Sequence, residues 1–148
     1  MTAIRILIDA DGCPVVDLAV RAAVKHGAEC LIFCDTAHIF EKEGAVTITV
    51  SQGADSVDFA LVNAVRAGDV VVTQDYGLAA MCLAKNAAVL NQDGRVYHEA
   101  NIDALLGERH HAKKFRNAGG RTKGPPKRRP EQDTAFETAL ERHLEGRA

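Results

Sequence analysis

No apolar run in this chain approaches the roughly 20 residues needed to cross a bilayer, and no basic stretch followed by a long apolar segment opens it. A membrane-spanning chain is therefore not expected, and a cytoplasmic protein is. The four cysteines, Cys13, Cys30, Cys34 and Cys82, form no CxxC pair. That lack removes the usual spacing of a zinc knuckle or a redox disulfide and leaves free thiols as the expectation. Internal repeats and coiled-coil heptads are also missing, which excludes a solenoid or a rod. Between residues 109 and 130 there is not one acidic residue.

What is present has the size and mixture of one globular domain: 148 residues, 47% apolar and 26% charged. The formal charge of −2 conceals a segregation. Residues 1–108 carry 7 Lys/Arg against 15 Asp/Glu, net −8; residues 109–130 carry 9 basic residues, net +9; residues 131–148 carry 2 against 5, net −3. A concentrated basic window on an acidic body is a polyelectrolyte-binding pattern. The expected organisation is an α/β domain over 1–108, a basic Gly/Pro-containing segment over 109–130, and a C-terminal helix over 131–148 that packs back on the domain.

The first strand signal, Ile4 to Ile8, ends abruptly in Asp9-Ala10-Asp11-Gly12, and Pro14 suits the first turn of a following helix, Val15 to Lys25, stopped by His26-Gly27. A second strand, Cys30 to Cys34, runs into Asp35. Val46 to Val50 alternates in the manner of a strand near a sheet edge. Asp55 and Asp58 stand at the start of a helix that continues through Phe59 to Gly68, and there Asp55 suits the N-cap. Val70-Val71-Val72-Thr73-Gln74-Asp75 repeats the logic of the first strand: a β-branched run delivering a carboxylate. A short helix from Leu78 to Lys85, a strand over Ala87 to Leu90, a Gln92-Asp93-Gly94 turn, a brief return strand, a helix capped by Asn101, and a final amphipathic helix from Thr134 to Glu145 complete the pattern.

Strands alternating with helices predict a three-layer α/β/α sandwich on a mostly parallel sheet of about five strands. In such a sheet the crevice lies at the carboxyl ends of the strands, so Asp9, Asp11, Asp55, Asp58 and Asp75 are expected on one side of the molecule. Carboxylates crowded together repel one another unless a cation joins them, and oxygen-only ligands favour Mg²⁺ or Mn²⁺. These five carboxylates are the candidate catalytic and metal-binding groups, with Thr73 as a supporting hydroxyl. Such a metal would activate water against a phosphodiester without a protein nucleophile. Lys113, Lys114, Arg116, Arg121, Lys123, Lys127, Arg128 and Arg129 would hold nucleic-acid phosphates, with RNA favoured as the partner.

The motifs Asp9-Ala10-Asp11-Gly12-Cys13-Pro14-Val15, Gly53-Ala54-Asp55-Ser56-Val57-Asp58, Gly68 through Ala79, and Arg121-Thr122-Lys123-Gly124-Pro125 occur in this order across nearly the whole chain. Together they resemble the bacterial YaiI/YqxD family, also called UPF0178. That family is similar to PIN-like nuclease domains. The resemblance implies a PIN-like α/β/α sandwich, with acids at Asp9, at Asp55 or Asp58, and at Asp75 forming a metal-binding cluster.

Two other readings stand beside a metal-dependent ribonuclease. One is a non-catalytic RNA- or ribosome-associated module, for which the basic segment alone suffices. The other is a haloacid-dehalogenase-type phosphatase, since Asp9-x-Asp11-Gly12 after an apolar strand also looks like that group's first motif, with Asp9 as nucleophile and Asp11 as acid/base. Its usual lysine after a second Ser/Thr strand has no counterpart in this sequence.

Overall fold

The computed structural model describes residues 4–37, 41–53, 55–107 and 127–145. Its centre is β1 (Arg5–Asp9), in which Ile6, Leu7 and Ile8 have no solvent exposure. A strand buried on both faces reads as a continuous apolar run. Around it the six-stranded sheet runs β3-β2-β1-β4-β5-β6, with β2 (Glu29–Asp35), β3 (Val46–Val50), β4 (Val70–Val72) and β5 (Ala88–Leu90) parallel to it. The last strand, β6 (Val96–Tyr97), is antiparallel to β5. The sheet therefore has one strand more than the parallel count of five, added by the hairpin at Gln92-Asp93-Gly94.

Alternation along the strands sends side chains to two separate cores. Ile6, Ile8, Ile32, Val70, Val72 and Leu90 pack with α1 (Val16–His26) and α5 (Pro130–Glu145). Leu7, Phe33, Val71, Val89 and Tyr97 pack on the opposite face with α2 (Ser56–Ala64), α3 (Tyr76–Ala84) and a helix, α4, helical over 99–107. This is a three-layer α/β/α sandwich. Phe136, Leu140 and Leu144, spaced four apart, bury the inner stripe of α5.

Local expectations are corrected at helix ends. Helix α1 starts at Val16, so Pro14 sits in the turn before it. Its stop is as expected, with Gly27 in the left-handed region at φ 66°. Asn101 does not open α4, which begins at 99; its Oδ1 accepts from the His98 N–H and its Nδ2 donates to the Val96 carbonyl, bracing the helix entry from inside the first turn. Helix α2 ends at Ala64 rather than near Gly68, because Val65 turns extended at ψ 142°. Helix α5 begins at Pro130, four residues before Thr134, where proline's missing N–H is no loss.

At the amino-terminal edge of the sheet Arg5 and Asp69 form a buried pair, 2.6 Å apart, and Asp69 also accepts from the Arg66 N–H. That acid is structural. The opposite edge is open.

Candidate active-site cleft

The carboxyl ends of β1 and β4 lie side by side, Ile8 in register with Val72, so Asp9 and Thr73 are the next residues out on adjacent strands. Thr73 Oγ1 donates to Asp9 Oδ2 at 2.9 Å, and both side chains are buried. The same hydroxyl accepts from the Asp75 N–H at 3.0 Å. One threonine thus couples the first-strand acid to the fourth-strand loop. Asp75 is the N-cap of α3, its Oδ1 accepting from the Leu78 N–H at 3.0 Å. A capped helix start with a carboxylate on it is a fixed acid, since its position is set by backbone.

Asp11 is exposed in the turn after β1, and its N–H points at Asp9 Oδ1 across 3.4 Å. Gly12 holds that turn at φ 64°, and the Gln74 side chain donates to its carbonyl at 2.7 Å. The β1 and β4 loops are therefore tied twice, through Thr73 and through Gln74.

Asp55 stands at the N-cap position of α2 but is left-handed, at φ 63°, and makes no capping bond with its side chain. The capping role expected for it is absent: a left-handed residue turns its carboxylate away from the first N–H groups. Asp58, in the first turn, is half-buried and within hydrogen-bonding reach of Asp75.

All five acids read from the sequence line one cleft of about 530 Å³, together with Asp35, Gly53, Ser56, Gln74 and Tyr76. Asp35 was missed as a site residue, although its signal was the one used elsewhere: an apolar run, β2, ending in aspartate beside β1. It differs in that Oδ1 accepts from the Ala37 N–H at 2.9 Å, closing its own turn.

The electrostatics are those of crowded acid. Burial pushes the Asp9 carboxyl above its ordinary value, against the Thr73 hydrogen bond, and the neighbouring Asp11 and Asp75 add to the rise. Burial, then the charges of Asp75, Asp9 and Asp55, push Asp58 up to about 6. No lysine, arginine or histidine lines the cleft among the described residues. Among those residues no three cleft carboxylates bring their oxygens within 4.8 Å of one another. A cation here would touch one or two carboxylates and reach the rest through water, which is how Mg²⁺ is ordinarily held. The donor set fits such an ion.

The model of the uncharacterised YaiI/YqxD family matches residues 7–146. The chain belongs to this family. Among its relatives, a UPF0178 protein of Exiguobacterium sibiricum is 54% identical over 140 residues, covering 95% of this chain and 96% of its own. A UPF0178 protein of Ruminiclostridium cellulolyticum is 52% identical over 136 residues, 92% of this chain and 89% of its own. No solved structure matches.

The basic residues stand differently from the acids. Lys113, Lys114, Arg116, Arg121 and Lys123 lie outside the described residues. Lys127 and Arg129 are exposed. Arg128 is not a free phosphate contact: its guanidinium bonds Asp93 and Asp133 at 2.8 Å each and the Gln92 carbonyl at 2.7 Å, strapping the start of α5 to the β5–β6 turn. Two acids and a carbonyl placed by the fold take up three of the five donors of that side chain.

Proposed function

We propose that this protein is a divalent-metal-dependent phosphodiesterase of the ribonuclease type, with RNA as the favoured nucleic acid. One observation carries the reading: three separate segments, the end of β1, the start of α2 and the β4–α3 loop, deliver Asp9, Asp11, Asp55, Asp58 and Asp75 to one cleft without a single basic neighbour among the described lining residues. Acids of one sign alone repel a phosphate. A cleft of this composition takes a phosphodiester only with cations in it.

The ion would rest on one or two of Asp9, Asp58 and Asp75 and meet the other cleft acids, Asp55 among them, through its water. When bound, Mg²⁺ or Mn²⁺ supplies neutralisation of the phosphate and a more acidic water. Thr73 keeps Asp9 aimed by donating to one of its oxygens. Asp11, exposed beside Asp9 in the cleft, would orient water or take its proton. Lys127, Arg129 and the remaining basic residues of 109–130 supply the backbone affinity that the acidic cleft lacks. A cytoplasmic location, where thiols stay reduced, suits the four free cysteines.

The phosphatase reading is weaker on the same observation, because no lysine meets Asp9 in the cleft among the described residues. The test is Mn²⁺ titration calorimetry on wild type, Asp9→Asn and Asp75→Asn, with cleavage of end-labelled RNA in the same samples. Metal binding and cleavage lost together in the variants is the expected result. Wild-type protein that retains RNA but binds no Mn²⁺ and cleaves nothing is a binding module, and the hydrolase reading fails. A trapped aspartyl-phosphate on Asp9 would replace it with the phosphatase.

A further inference from the structure

At the carboxyl end of α1, among residues that do not line the cleft, three groups unrelated to the carboxylate cluster come together. His26, in the last turn of α1, faces Glu141 and Glu145, one turn apart on α5. One ligand atom from each, the imidazole nitrogen and two carboxylate oxygens, lies within 4.8 Å of the others. His26 Nε2 is 3.6 Å from Glu141 Oε1, too long for a hydrogen bond. That nitrogen is shielded from solvent and has no hydrogen-bond partner. A shielded imidazole nitrogen that makes no hydrogen bond and stands 3.6 Å from its ion-pair partner Glu141 leaves a place between them that a cation can fill.

We infer that His26, Glu141 and Glu145 form a second cation site, one for a borderline transition ion such as Zn²⁺, which clamps α5 onto α1. Imidazole with two carboxylates is the donor set that Zn²⁺ accepts and that distinguishes this place from the all-oxygen cleft. The two Glu residues are neighbours on one helix face by their spacing of four. The ion would join segments 115 or more residues apart in sequence, beside the apolar seam of Phe136, Leu140 and Leu144. Lys25 is the natural competitor: its Nζ lies 2.9 Å from the same Glu141 oxygen, on a side chain 65% exposed that is free to swing away. Arg21 and Glu137 flank the site in the groove between the helices.

The experiment is Zn²⁺ titration calorimetry and thermal unfolding on the full chain in the Asp75→Asn background, with Co²⁺ absorption as a reporter of nitrogen ligation. One Zn²⁺ is expected to bind, raising the melting temperature. His26→Gln and Glu145→Gln should each weaken it at least tenfold, while Lys25→Met should tighten it by removing the rival cation. Glu145 is exposed, so its variant folds even where that of His26 does not. Zn²⁺ affinity unchanged in Glu145→Gln, or weakened by Lys25→Met, overturns the site; so does binding that moves only when His110 and His111 are replaced.

Discussion

Thr73 does more than a strand threonine usually does, since its hydroxyl is spent twice, on Asp9 and on the Asp75 N–H. Thr73→Val keeps the shape and removes both bonds. The expected cost is about 1–3 kcal/mol, the penalty for buried polar groups left unpaired. Mn²⁺ affinity should fall about tenfold, as when a group orienting a metal ligand is lost; urea unfolding and calorimetry measure the two effects separately. Asp58 gives a pH signature. Its folded-state value is about 6, above its ordinary 3.8, so the proton is held more tightly in the folded protein. The resulting stability is present below about 3.8 and is lost as pH rises through about 6. In EDTA, Asp58→Asn should therefore melt higher than wild type at pH 7.5 and no longer show that loss. Equal pH profiles for the two proteins would contradict it, and Mn²⁺ should shrink the difference by neutralising the acids.

Among elements, α5 is held by features that only its docking explains. Gly94, in the β5–β6 turn, has φ 83°, and a Cβ there would meet the Ala135 carbonyl oxygen at 2.5 Å. Gly27 has nearly the left-handed geometry of a helix stop, φ 66°, with nothing within 4 Å of such a Cβ. Gly27→Ala should cost only the conformational strain, about 1–2 kcal/mol. Gly94→Ala adds a backbone clash, so about 2–4 kcal/mol is expected, with loss of protection of α5 in hydrogen exchange. Similar costs for both variants would mean that α5 yields easily. Arg128, expected from the sequence to hold phosphate, belongs to the same docking, where Asp93 and Asp133 engage its guanidinium.

For the whole molecule, charge separation sets the behaviour: a body of net −8 over 1–108 beside a segment of +9. RNA affinity should fall steeply with salt, and replacing Lys113 and Lys114 together should lower the slope of log K against log salt by about 2 while leaving Mn²⁺ binding intact. Filter binding across a salt series measures this. If the cleft takes the proposed ion, saturation should stabilise the fold by linkage, about 2.7 kcal/mol at a hundred times the dissociation constant, and Asp75→Asn should abolish that gain. No helix among the described residues is long and apolar enough to cross a membrane.

The sequence by itself determined the layers. Strands buried on both faces, such as Ile6-Leu7-Ile8 and Val70-Val71-Val72, announce themselves because an apolar β-branched run is a local property, and each ended in an acid that local reading could name. Boundaries were less legible at Asn101 and Asp55, where a side chain suited to capping was used otherwise or turned away by a left-handed backbone. Only the tertiary structure decided which acids meet and what else joins them. Register beside β1 set Thr73 against Asp9, the parallel neighbour β2 brought Asp35 to the rim, and docking of α5 carried Glu141 and Glu145 to His26 and drew Arg128 inward. These are contacts between residues distant in the chain, fixed by strand register and helix packing, and periodicity along a sequence carries no record of them.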